Sequence, residues 1–158
     1  MKLSSLNLSF FYSIGYFGHW FTFLIACALL YRHYIYFLMF IITFALNKTI
    51  NIYLKKIIQQ NRPNNPIKFL NSDVFSKNYF GMPSGHTQVA FFCLVYSYLV
   101  TKQFIPWIML LLFIGILVII ERYKYRNHTL NQLFAGAFIG STIAYLSYTF
   151  TTFLLRII

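Results

Sequence analysis

Residues 106–120 read PWIMLLLFIGILVII. The run carries no charge, begins just after Lys102 and Gln103, and stops at Glu121-Arg122. Such a segment belongs in hydrocarbon, where a crossing helix needs about 20 mostly apolar residues. Four more segments share its character. Phe10 to Tyr31 and Tyr34 to Ile58 flank a short turn at Arg32-His33, and the second becomes polar after Ala45. Ser84 to Thr101 precedes the quoted run across a tight hairpin at Lys102, Gln103 and Pro106, and Leu130 to Leu155 follows it.

Composition points the same way. The 158 residues are 59% hydrophobic and only 9% charged, against about 25% charged in an ordinary soluble domain. A water-soluble fold is excluded. The expected fold is an all-α integral membrane protein, a single domain over residues 1–158. It is a bundle of about five transmembrane helices with its site at one membrane face. Residues 1–20 hold one Lys and no small-residue cleavage site, so they read as a mature start. Cys27 and Cys93 lie in apolar runs and read as small core residues, with neither a disulfide nor a metal expected.

Charge is lopsided, with 13 Lys and Arg against two acids. For a chain mostly in lipid, that excess implies anionic lipid or a phosphorylated substrate, and no nucleic acid. Polar residues concentrate in two stretches, Lys55 to Met82 and Glu121 to Gln132. Counting helices puts both on one side of the membrane. The segment GMPSGH, residues 81–86, opens its helix from that same side. Gly136 and Gly140 form a GxxxG suited to close helix packing.

Of the four histidines, His19 and His33 sit beside aromatics and read as interfacial side chains at helix ends. His86 and His128 each lie in a polar loop on the shared face, with cations nearby. Asn47, Asn51, Lys55 and Arg62 differ by four, four and seven residues, which places them on one narrow face if the second helix continues that far. Pro83-Ser84-Gly85 fits a turn opening a helix whose free N–H groups suit a phosphate. Each feature has a plain structural reading: snorkelling lysines, an ordinary N-cap, a basic loop on headgroups. Their meeting on one face favours chemistry. The only carboxylates are Asp73 and Glu121, one per stretch. That is too few for a two-metal carboxylate site. Phosphate charge must then be met by Lys, Arg and backbone N–H groups, with His or Ser as nucleophile.

These residues resemble the type 2 phosphatidic acid phosphatase and vanadium haloperoxidase superfamily. Its motifs are Lys-x6-Arg-Pro, Pro-Ser-Gly-His and Ser-Arg-x5-His-x3-Asp. The chain has Lys55 to Arg62-Pro63, then Pro83 to His86 unaltered, then Arg122-x5-His128. Glu121 stands where Ser is usual and Gln132 where Asp is usual. The stretches LNKTINIYLKKIIQQNRP, FGMPSGHTQ and NHTLNQLFAG are similar to the dolichyl-diphosphatase branch, whose members carry His-Thr-x-x-Gln.

The resemblance implies metal- and cofactor-independent hydrolysis of a polyprenyl, dolichyl-type diphosphate to the monophosphate, within lipid metabolism that serves protein glycosylation. It implies His128 as nucleophile, forming a phosphohistidine, and His86 as acid and then base. Lys55, Arg62, Ser84, Gly85 and Arg122 bind phosphate, and Gln132 orients His128. Alternatives are a phosphatase for phosphatidic acid or another lipid monophosphate, and an inactive lipid-phosphate-binding member. Glu121 is expected to pair with a loop cation. All of the 13 Lys and Arg except Arg32, Lys102 and Arg156 fall on the site side, which by the positive-inside rule is cytoplasmic. The resemblance implies instead the lumen of the endoplasmic reticulum, or the outer face of a prokaryotic plasma membrane. Several of those cations are site residues, so the resemblance sets the expectation.

Overall fold

Each apolar run forms one helix. A computed structural model describes residues 3–65, 67, 80–102 and 105–157, with side chains from residue 10 onward. The helices are α1 (Leu3–Leu30), α2 (Tyr34–Ile58), α3 (Gly85–Thr101), α4 (Ile105–Lys124) and α5 (Leu130–Ile157). Gln103, Asp73 and the middle of the first polar stretch lie outside the described residues.

Helices α1, α2, α4 and α5 are long and apolar enough to cross a membrane. Their outer faces carry large exposed hydrophobics such as Leu38, Met109, Phe138 and Leu146, as a lipid solvent requires. The 17 residues of α3 reach about 25 Å at 1.5 Å per residue, short of the roughly 30 Å hydrocarbon core. Its position explains why this suffices: α3 packs against all four other helices, so protein rather than lipid surrounds it.

The core lies between α1, α2, α3 and α5, around Phe40, Phe92, Tyr96, Leu30 and Ala144. The Phe40 and Phe92 rings stack 5.4 Å apart. Cys93 is buried there and Cys27 packs against it. Polar side chains inside the bundle are paired across helices, as hydrocarbon demands: Thr43 bonds Ser147 at 2.7 Å, and the Tyr96 hydroxyl donates to the Tyr36 carbonyl at 2.9 Å.

Two small-residue contacts carry the fold to the site. On α5, a Cβ at Gly136 would lie 2.5 Å from the Ser84 carbonyl oxygen, and one at Gly140 would strike the Gln88 carbonyl. The GxxxG therefore presses α5 onto the backbone that opens α3. On α1, a Cβ at Gly15 would lie 2.5 Å from the Leu117 carbonyl oxygen and 2.6 Å from Glu121 Cβ, so α1 lies directly on α4.

One boundary differs from that expected of the sequence, the end of α4. Helix α2 ends at Ile58 as expected, and Gln59 turns left-handed at φ 50°, so Arg62 is not on the α2 face. Helix α4 runs on to Lys124. Glu121 and Arg122 are thus in its last turn, and Gln132 is in the first turn of α5. The apolar pattern ends before the helix does because helix geometry persists into the interface.

Candidate active site

The two polar stretches meet as their shared side requires. The Ile67 N–H donates to the Tyr125 carbonyl at 2.9 Å. Asn61 pairs with Phe80 in an isolated antiparallel bridge, and the Gly81 N–H donates to the Gln60 carbonyl at 2.7 Å. The chain then passes a cis Met82–Pro83 peptide to Ser84, which is extended at φ −68° and ψ 117° and caps α3. The Ser84 N–H donates to the Gln132 carbonyl at 2.9 Å, and its hydroxyl meets that of Thr87 at 3.2 Å.

Asn47, Asn51 and Lys55 share the buried face of α2. The Asn51 amide donates to the Pro83 carbonyl at 3.2 Å and to Gln88 Oε1 at 2.7 Å. Gln88 Nε2 in turn donates to Asn47 Oδ1 at 2.7 Å. This amide ladder docks α2 on α3 and holds the Pro-Ser-Gly turn against Lys55. Asn51 reaches within 3.1 Å of where a Cβ on Gly85 would sit, so the turn approaches the ladder closely.

Lys55, Arg62, Gly85, His86 and His128 line one cavity of about 310 Å³, joined by His19, Asn47 and Lys48. Arg62 arrives from extended chain after α2. Ser84, Gln132 and Arg122 do not line this cavity. Ser84 is buried in the turn, Gln132 lies behind His128, and Arg122 is held from two sides. Its Nε is 2.7 Å from Glu121 Oε2, and its guanidinium carbon is 5.0 Å from the Tyr16 ring centroid. Glu121 is fully buried and pairs with its own neighbour, a helical cation rather than a loop one. Arg62 Nε and Arg122 Nη2 are buried without a hydrogen-bond partner. Orphaned donors of this kind are costly unless an anion meets them.

His128 is 3% exposed. Its Nδ1 lies 3.2 Å from Gln132 Oε1, an oxygen that also receives the Thr129 N–H at 3.2 Å. Gln132 Nε2 donates to Gln60 Oε1 at 3.1 Å and to the Asn61 carbonyl at 2.8 Å. The amide orientation is set by those four bonds, so Oε1 accepts and His128 Nδ1 donates. Nε2 of His128 is left as the basic nitrogen. Burial first, then the charges of Arg62, Lys55 and Arg122, pull the His128 pKa down to about 3, against a smaller upward effect of Gln132. Arg62 is itself shifted down, by burial and then by Arg122. His128 also borders a second, outward cavity of about 700 Å³ with Lys124, Arg126 and Pro63. It therefore stands between two cavities.

His19 departs from its expected place at a helix end. It lies inside α1, and its ring meets that of His86 edge to face, with centroids 4.1 Å apart at 74°. The same α1 face carries Tyr16 under Arg122 and Tyr12 against Tyr125. A histidine within an apolar membrane helix was the available signal. His33, by contrast, is exposed before α2.

Among the described residues, five helices with histidines and cations gathered at one face define a multi-pass membrane protein with a cationic pocket. The chain belongs to the PAP2 superfamily, which matches residues 34–156. α1, with His19, precedes the matched region. A similar solved structure is the crystal structure of the first transmembrane PAP2 type phosphatidylglycerolphosphate phosphatase from Bacillus subtilis. The two share 19% identity and a TM-score of 0.70, over 95% of this chain and 78% of that one. No curated protein matches the chain in sequence.

Proposed function

We propose that the protein hydrolyses a lipid-linked phosphate without a metal, acting on a polyprenyl diphosphate of the dolichyl type. The observation that carries this reading is His128. Its Nδ1–H is held by Gln132, and it faces a cavity shared with His86, Lys55 and Arg62.

His128 Nε2 attacks the terminal phosphorus. The bond from phosphorus to the bridging oxygen breaks as the P–N bond forms, and His86, protonated in the complex by the negative charge of the bound diphosphate beside it, gives its proton to the departing lipid monophosphate. Water then donates a proton to His86 and attacks the phosphohistidine, releasing inorganic phosphate and restoring His128. Lys55, Arg62, Arg122 and the turn at Ser84-Gly85 balance the charge on the phosphoryl oxygens. Neutral imidazole is the form that attacks, and burial among cations keeps His128 in that form. Water and phosphate pass through the outer cavity while the lipid stays on the membrane side.

The test is phosphate release from a polyprenyl diphosphate by purified protein in detergent with chelator present. Turnover is expected, and His128→Ala should abolish it. Binding without turnover would sink the enzyme reading. Faster release from phosphatidic acid would move the substrate to lipid monophosphates.

A further inference from the structure

Lys48 is an exposed residue that also lines the cavity, and it has no part in the reaction proposed above. It precedes Lys55 by seven residues, so both lie on one side of α2, about 10 Å apart along its axis. α2 runs towards the site face, which places Lys48 deeper in the membrane than Lys55. A lysine at that depth is costly unless it snorkels to an interface or meets an anion. Its ammonium does not point to the site face. It lies 5.1 Å from the Trp20 ring centroid and 4.8 Å from that of Phe44, one helical turn further in. Among the described residues the only carboxylate side chain, Glu121, is paired with Arg122 on α4. The two rings hold the cation at the cavity wall without neutralising it.

A second donor stands beside it. Asn47 is fully buried and lines the same cavity. Its Oδ1 accepts from Gln88 Nε2, which fixes the amide, and its Nδ2 is buried with no hydrogen-bond partner. An ammonium and an unused amide N–H on residues that line the same cavity as His128 and Arg62 suit an anion. A lipid whose terminal phosphate sits at His128 must run its chain into the membrane, so the group bonded next to that phosphate lies towards Lys48.

We propose that Lys48 and Asn47 form a subsite for a second phosphate on the lipid side of the one attacked. The ligand is either the inner phosphate of a lipid diphosphate or a phosphodiester spaced from the terminal phosphate by a short polyol. A swing of the Lys48 side chain off Trp20 brings the charge to that phosphate. The subsite rests on the hydrolase reading and narrows it to lipids carrying two phosphates.

The experiment compares wild type, Lys48→Met and Lys48→Arg on farnesyl diphosphate, phosphatidylglycerolphosphate and phosphatidic acid in detergent. Loss of one charge-assisted contact should cut the two-phosphate to one-phosphate selectivity in kcat/KM by about tenfold or more in Lys48→Met. Lys48→Arg should retain most of it. A drop confined to farnesyl diphosphate assigns the adjacent phosphate, and one confined to phosphatidylglycerolphosphate assigns the spaced one. Equal losses on all three lipids, or none, would overturn the subsite. Thermal stabilisation by farnesyl methylenediphosphonate against farnesyl monophosphate reads the same difference without turnover. Wild type that hydrolyses nothing yet shows this preference, lost in Lys48→Met, would reject the hydrolase and keep the subsite.

Discussion

Gln132 holds His128 through Oε1, 3.2 Å from the histidine Nδ1, while its NH2 group is committed to Gln60 and the Asn61 carbonyl. Both sides of the amide are therefore in use. A carboxylate here would present an oxygen to two acceptors, so the amide belongs to this particular arrangement. Gln132→Ala should lower kcat by about 10- to 100-fold, the worth of one hydrogen bond to a group that becomes charged. Gln132→Glu should lower both kcat and the thermal midpoint. Gly81→Ala should act in the same direction, because its Cβ would strike the Gln132 amide. A Gln132→Glu protein with wild-type turnover would show that the amide donors are dispensable.

The burial of His128 gives a pH prediction. Its folded pKa of about 3 lies below the ordinary histidine value of 6.5. Between those values the unfolded chain binds the proton and the folded one does not. This contribution to stability is therefore complete above about pH 6.5 and is lost as pH falls towards 3. Lowering the pH from 6.5 to 4.5 should depress the thermal midpoint in detergent, and less so in His128→Gln. The attacking nitrogen stays unprotonated throughout, so rapid-quench trapping of phosphohistidine should reach the same burst amplitude at pH 5 and pH 7. A burst that titrates away near pH 6.5 would contradict the buried, cation-surrounded His128.

Glu121 stands 2.7 Å from the Arg122 Nε and is buried. Removing one partner of a buried pair costs about 3–5 kcal/mol. Glu121→Ser should lower the thermal midpoint and raise KM, since Arg122 is then positioned by Tyr16 alone of these two contacts. Differential scanning fluorimetry and steady-state assays decide it, and unchanged values for both would remove any structural need for the pair.

His19 meets His86 by ring contact across α1 and α3, which makes it a positioning residue. His19→Ala should lower kcat by about tenfold with KM little changed, because small displacements of a reacting group are costly. His19→Phe, which keeps a ring, should recover most of the loss. A matching loss in both variants would mean that the His19 nitrogens, not its ring, are needed.

The sequence by itself determined the five helices, the turn at Pro83 to His86 and the shared side of the two polar stretches. These are local properties: a lipid solvent reads hydropathy residue by residue, and alternating crossings come from counting. The helix periodicity also grouped Asn47, Asn51 and Lys55 correctly. It does not extend to Arg62, because α2 ends at Ile58 and Gln59 turns left-handed. Only the tertiary structure decided the rest. An apolar helix such as α1 can turn any face inward, and the backbone approach at Gly15 selects the one bearing Tyr16 and His19. Which donors of Gln132 and Asn47 are used, and which of Asn47 is left, depends on groups brought from other helices. Hydropathy sets where a helix lies in the membrane, whereas packing sets what each of its side chains meets.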